Sequence, residues 1–174
     1  MKKYILLLIA CLLSAVPAAQ GADPAYRLGF SPHGEALQVI LQGIAGAKES
    51  ILVAAFSFTS KPVSKALLAA HKRGVKVSVV ADQEANTDKY TALNFLANKG
   101  IPVRLNGRYG AMHHKFMVID ESAVQIGSFN YSAAAAEKNA ENVLLLKDVP
   151  GLAARYAAEW KKLWEEGTDM RRNY

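Results

Sequence analysis

The strongest constraint on the fold of this chain is a series of short apolar runs set between amphipathic segments. Residues 51–58 and 116–119 are apolar almost throughout, which suits strands buried on both faces and so demands a layer of structure on each side of a sheet. Residues 61–73 read as a helix stopped at Gly74, followed by a strand at 75–80, and 87–99 read as a further helix stopped by Gly100. Upstream, Leu37, Ile40, Leu41 and Ile44 have helical spacing, and Ser31-Pro32 is the expected cap and first turn of a helix over 33–47. This alternation implies parallel pairing through crossovers. The later strands, at 101–105, 113–119, 123–126 and 141–146, include a pair joined by the short Asp120-Glu121-Ser122 turn and imply antiparallel or mixed pairing. A closing helix over 150–166 carries Leu152, Tyr156, Trp160 and Leu163 on one stripe. The expected fold class is therefore α/β, a mixed, largely parallel central sheet flanked by helices.

With 51% hydrophobic and 21% charged residues in 174, the chain can bury a core, which excludes disorder, collagen and coiled coil. Residues 1–22 begin with Lys2 and Lys3, continue through a dozen apolar residues and end in small residues, the pattern of a secretory signal. The run is shorter than the roughly 20 apolar residues a membrane span needs. Residues 23–174 are then expected to form a single domain, exported to the periplasm or the exterior with no stable membrane partner. The sole cysteine, Cys11, falls inside the signal, so the mature chain would have no thiol chemistry and no disulfide. The net charge of +6, two units of it from Lys2 and Lys3, favours polyanionic partners without requiring them.

Chemistry concentrates in one stretch. His113-His114-Lys115 is followed after four residues by Asp120, and six residues later by Gly127-Ser128-Phe129-Asn130. Six fixed residue types at fixed spacing arise by chance on the order of once in several hundred thousand chains of this length. On a strand, residues two apart share a face, so His113 and Lys115 project together while His114 and Phe116 face away. Gly127 lets backbone N–H groups turn toward an anion, and Ser128 and Asn130 add side-chain donors. A neutral imidazole is a competent nucleophile near pH 7, a carboxylate on its other nitrogen would fix its tautomer, and Glu141 suits that role. Lys115 can meet charge on phosphate oxygens without a metal. A metal site at His113, His114 and Asp120 is disfavoured, because the two histidines point apart and Lys115 would repel a cation. No metal or other cofactor is expected.

The H-x-K, D and G-S-x-N pattern is similar to that of the phospholipase D superfamily. The chain resembles in particular its short, secreted, single-motif, EDTA-resistant bacterial endonucleases, and Ala54-Ala-Phe-Ser-Phe-Thr59 and Gly100-Ile-Pro-Val-Arg104 carry weaker likeness. The resemblance implies an α-β-α sandwich in which His113 forms a phosphohistidine intermediate. Lys115 and Asn130 would hold nonbridging phosphate oxygens, with Ser128 beside them. Asp120 would support the architecture around the histidine, and Glu141 would hydrogen-bond it. The implied activity is metal-independent, nonspecific endonucleolytic cleavage of DNA, with RNA as a further candidate substrate. The alternative is phospholipase D-type hydrolysis of lipid head-group diesters.

In-line displacement puts the attacking and leaving oxygens on opposite sides of phosphorus, so one histidine cannot attack and protonate the leaving group in the same step. A homodimer that brings two copies of His113 to one phosphate is therefore expected. Arg104, Arg108 and Tyr109, ahead of the catalytic strand in a Gly-containing stretch, are candidate substrate contacts, the cations for a nucleic-acid backbone and Tyr109 for stacking on a base.

Overall fold

The computed structural model describes residues 26–87 and 91–170; the expected signal segment lies outside them. Eight strands form one sheet: β1 (Tyr26–Ser31), β2 (Ser50–Ala55), β3 (Lys76–Asp82), β4 (Val103–Asn106), β5 (Lys115–Ile119), β6 (Ala123–Gly127), β7 (Glu141–Leu146) and β8 (Thr168–Asp169). The spatial order is β1-β7-β6-β5-β2-β3-β4-β8. Helices α1 (Glu35–Gly46), α2 (Lys61–Lys72) and α3 (Ala92–Asn98) contribute to the core on one face, together with Ala135 of the short α4 (Ala133–Glu137). The long α5 (Pro150–Glu166) covers the other face. No helix among the described residues is long and apolar enough to cross a membrane.

The mixed sheet between helical layers is as expected, but it is not largely parallel. Only β2–β3 and β3–β4 pair parallel. The other pairings, β1–β7, β7–β6, β6–β5, β5–β2 and β4–β8, are antiparallel. The reason is local: β5 and β6 are joined by a tight turn in which Asp120 and Glu121 take φ values of 50° and 54°, the left-handed conformation that hairpin turns require. β5 is buried along its whole length. Met117 and Ile119 enter the α1–α3 layer, and Phe116 and Val118 enter the α5 layer, so the strand is central and stiffly held.

Several boundaries depart from the sequence expectation. Ser31 does not cap a helix; it ends β1, and its hydroxyl donates to Asn139 O. The Ser31–Pro32 peptide is cis, His33 and Gly34 have positive φ, and α1 starts at Glu35 with Gly34 as a cap without a side chain. The helix expected over 87–99 is confined to Ala92–Asn98, capped by the Thr91 hydroxyl, after a separate 3-10 turn at Glu84–Asn86. The strand expected from residue 113 begins at Lys115. β1, β8 and α4 have no counterpart in the sequence expectation. In β1 the alternation is inverted: the apolar Tyr26, Leu28 and Phe30 are exposed, and Gly29 and Ser31 are the buried positions.

Candidate active site

The end of the sheet at which β5 begins gathers the chemistry. Extending the β5–β6 register by one residue sets Lys115 across from Gly127, and Gly127 in turn faces Val143 on β7. His113 lies just before β5 and is exposed, whereas Lys115 is only 9% exposed. Lys115 Nζ lies 2.8 Å from His113 Nδ1 and donates to His113 O at 2.7 Å. The expected sharing of one side by these two residues is thus realised. As an ammonium, Lys115 donates to Nδ1, which leaves the proton of a neutral ring on Nε2. Burial lowers the Lys115 pKa below the usual lysine value, and the charge of Glu141 opposes that shift. The Phe56 ring packs on the imidazole with centroids 4.4 Å apart and lies 4.9 Å from Lys115 Nζ.

Beyond Gly127 the chain alternates. Phe129 and Tyr131 are fully buried, and Tyr131 is fixed by hydrogen bonds from Thr59 N and Ser60 N to its carbonyl and by donation from its hydroxyl to Gln125 Oε1. Burial pushes the Tyr131 phenol far up, so it stays neutral. Ser128, ahead of these anchors, is exposed; Asn130, between them, is half-buried, and its Oδ1 lacks a hydrogen-bond partner. Ser128 Oγ donates to Glu141 Oε2 and accepts from Asn142 N and Nδ2.

Glu141 does not hold His113 in the single chain. Its carboxylate accepts from Ser128 Oγ and Asn139 Nδ2, because it opens β7 opposite Ser31 and turns toward the Gly127–Ser128 corner. It acts on the histidine–lysine pair through its charge on Lys115. Asp120 is also remote. It follows the last residue of β5, about 17 Å from Lys115 at ~3.4 Å per residue, and its carboxylate accepts from Lys48 N, Glu49 N and Ser50 N at 2.8–2.9 Å. Burial raises its pKa, but those N–H donors and the Lys48 charge outweigh burial and hold it below the usual value. Asp120 is an anchor between the β5–β6 turn and the start of β2.

The three candidate substrate contacts separate. Arg104 sits on β4 and is engaged internally: it pairs with Asp169 at 2.7 Å, donates to Trp164 O at 2.9 Å and lies over the Trp164 ring. Arg108 is exposed, 3.6 Å from Glu166. Tyr109 donates to Glu166 at 2.8 Å. It lines a cavity of about 110 Å³ together with Met112, His113, His114, Glu159 and Lys162, so of the three it alone borders the histidine. His114 packs edge-on against Phe116 and lies 4.0 Å from Glu159, away from Lys115. Among the described residues no three His, Cys, Asp or Glu side chains are grouped to hold a metal.

Two residues of this region carried no readable signal. Phe56 lies in the weakly similar 54–59 segment, but nothing in its spacing announces contact with His113. Asp82 is a lone acid at the end of a buried strand, and its Oδ2 accepts from Met112 N, next to the histidine.

A histidine–lysine pair at the mouth of a central strand, with a Gly-Ser-x-Asn corner beside it, defines the class: the chain belongs to the phospholipase D superfamily. The family described as "Cardiolipin synthase, PLD-like domain" matches residues 40–164. Among solved structures, Nuc from Salmonella typhimurium, a phospholipase D family member, is 40% identical with a TM-score of 0.84 and covers 86% of this chain and 99% of its own. NucT from Helicobacter pylori is 28% identical with a TM-score of 0.78, covering 85% and 100%. The mitochondrial cardiolipin hydrolase of Canis lupus familiaris is 33% identical over 156 residues, 89% of this chain. The chain spans 61% of that relative's length.

Proposed function

We propose that this phosphodiesterase of the phospholipase D superfamily is an exported endonuclease that cuts DNA without a metal ion, through a phosphohistidine on His113, as a homodimer. The observation that carries the reading is the exposed His113 set directly against a nearly buried lysine. An open histidine admits a polymer from the side, and the cavity of about 110 Å³ at its edge is small and lined largely by polar residues. The likeness to Nuc over 99% of that chain and the basic charge point the same way.

The chemistry starts when nonbridging oxygens of the diester draw Lys115 Nζ away from Nδ1. Water at the exposed ring takes the Nε2 proton and delivers one to Nδ1, and the freed Nε2 lone pair attacks phosphorus. The N–P bond forms as the P–O bond to the leaving strand breaks, and the leaving oxygen takes a proton from His113 of the partner subunit, which enters the step as the imidazolium and leaves it neutral. Water then attacks phosphorus in line, loses a proton to that second imidazole and breaks the N–P bond. Lys115 and Asn130 offset the charge on the equatorial oxygens. Because each chain supplies one histidine, turnover requires two chains, and light scattering of the active protein should give twice the mass of one chain.

Hydrolysis of lipid head groups is the second reading, favoured by the likeness to mitochondrial cardiolipin hydrolase. Purified protein incubated in excess chelator with plasmid DNA and, separately, with phosphatidylcholine vesicles distinguishes the two. Nicking of the plasmid with intact lipid is expected; lipid turnover with intact plasmid would reverse the assignment.

A further inference from the structure

Asp82 ends β3 with its side chain only 3% exposed, and it has no cationic partner among the described ion pairs. A buried carboxylate without a counter-charge is costly, and here backbone N–H groups meet the charge. Oδ1 accepts from Ala85 N and Oδ2 from Met112 N, both at 2.8 Å. Met112 is itself 2% exposed and packed in the α5 layer, and the next residue is His113. One end of the loop that carries the nucleophile is therefore tied to the centre of the sheet.

A second tie reaches the same imidazole from the other side. Asn86, 3% exposed, donates from Nδ2 to Asp82 O at 2.8 Å and to Phe56 O at 2.6 Å, and its Oδ1 accepts from Phe58 N at 3.0 Å. Phe56 is the residue whose ring packs on His113. The turn after β3 thus holds both the backbone that leads into His113 and the aromatic surface that sets its ring.

We propose that Asp82 is a positioning residue for His113, fixing through Met112 N the point from which the imidazole is aimed. The proposal rests on the reading of His113 as the reacting group. An Asp82→Asn substitution keeps the shape but turns one of the two accepting oxygens into an NH2, so one of the two N–H groups faces a donor. Displacement of a reacting group by about 1 Å costs up to ~100-fold in rate.

The test uses bis(p-nitrophenyl) phosphate, a diester with neither base nor acyl chain, so its outcome is independent of the natural substrate. For D82N, kcat per folded molecule should fall at least tenfold with KM within twofold of wild type. The His113 ring resonances should move while those of His33 and His71 stay in place, which a general loss of stability would not produce. Wild-type kcat in folded D82N would overturn the proposal. H113A is measured in parallel: wild-type turnover there would overturn the reading of His113 itself, a separate result. Should D82N not fold, amide exchange in the unaltered protein decides. Protection of Met112 N–H at the level of the β5 amides supports the tie; exchange as fast as at Ala111 refutes it.

Discussion

At the scale of single residues, the short motif combines two jobs that the sequence cannot separate. His113 and Lys115 meet at 2.8 Å, whereas Asp120, in the same pattern, closes a turn at the far end of the strand. The spacing already put Asp120 in the turn that ends the 113–119 strand, but not its carboxylate on the N–H groups of Lys48, Glu49 and Ser50 at the start of β2. Asp120→Asn should therefore destabilise the fold by about 1–2 kcal/mol, the cost of weakened hydrogen bonds to a charged acceptor, and leave kcat per folded molecule unchanged. The sign of its pH dependence follows from a folded pKa held below 3.8. Its contribution is complete above the ordinary carboxylate pKa and is lost as pH falls through the folded value, so urea titrations should show less acid sensitivity in the variant. Lys115 is the opposite case. Burial pulls it below 10.5, so the alkaline limb of kcat/KM should lie below that pH. Glu141→Gln removes the charge that props Lys115 up and should move the limb further toward neutral pH.

At the scale of elements, the regular segments were legible where burial imposes a period. α5 spans the residues expected of it, and α2 differs by one residue at its end, because each repeats apolar residues along one face. β1 was not legible. Its outward row of Tyr26, Leu28 and Phe30 is apolar yet exposed, and its inward positions include Gly29, where a side chain would strike the backbone of Glu35. The shortened α3 reflects competition from polar side chains: Asn86 and Thr91 bind the backbone of the 56–58 segment instead of continuing a helix. The Gly127 corner has a sharper requirement. Its φ is 151°, and an added Cβ would overlap Asn142 O, which accepts from Ser128 N. Gly127→Ala should cost at least about 3 kcal/mol in chemical denaturation, and activity should fall beyond the loss of folded protein because the Ser128 corner is displaced.

At the scale of the whole molecule, a mixed sheet between helical layers, parallel in its first half and antiparallel after it, was foreseeable, but the predominance of antiparallel pairs was not. Strand–helix alternation covers only β2, β3 and β4; β5 and β6 are joined by a tight hairpin, and the antiparallel pairs β1–β7, β2–β5 and β4–β8 join strands far apart in sequence. The site shares this dependence on distant contacts. Asp82 holds Met112 and Phe56 packs on His113 from two other strand ends, and no local pattern could announce them. The resulting site presents an exposed imidazole backed by a buried lysine. The most direct test is to quench the protein during turnover of a diester in excess chelator and map the bound phosphoryl group by mass spectrometry under alkaline conditions, where phosphohistidine survives. A phosphoryl group on His113 that forms and decays with turnover is predicted; turnover with no adduct at His113, or turnover abolished by the chelator, would contradict it.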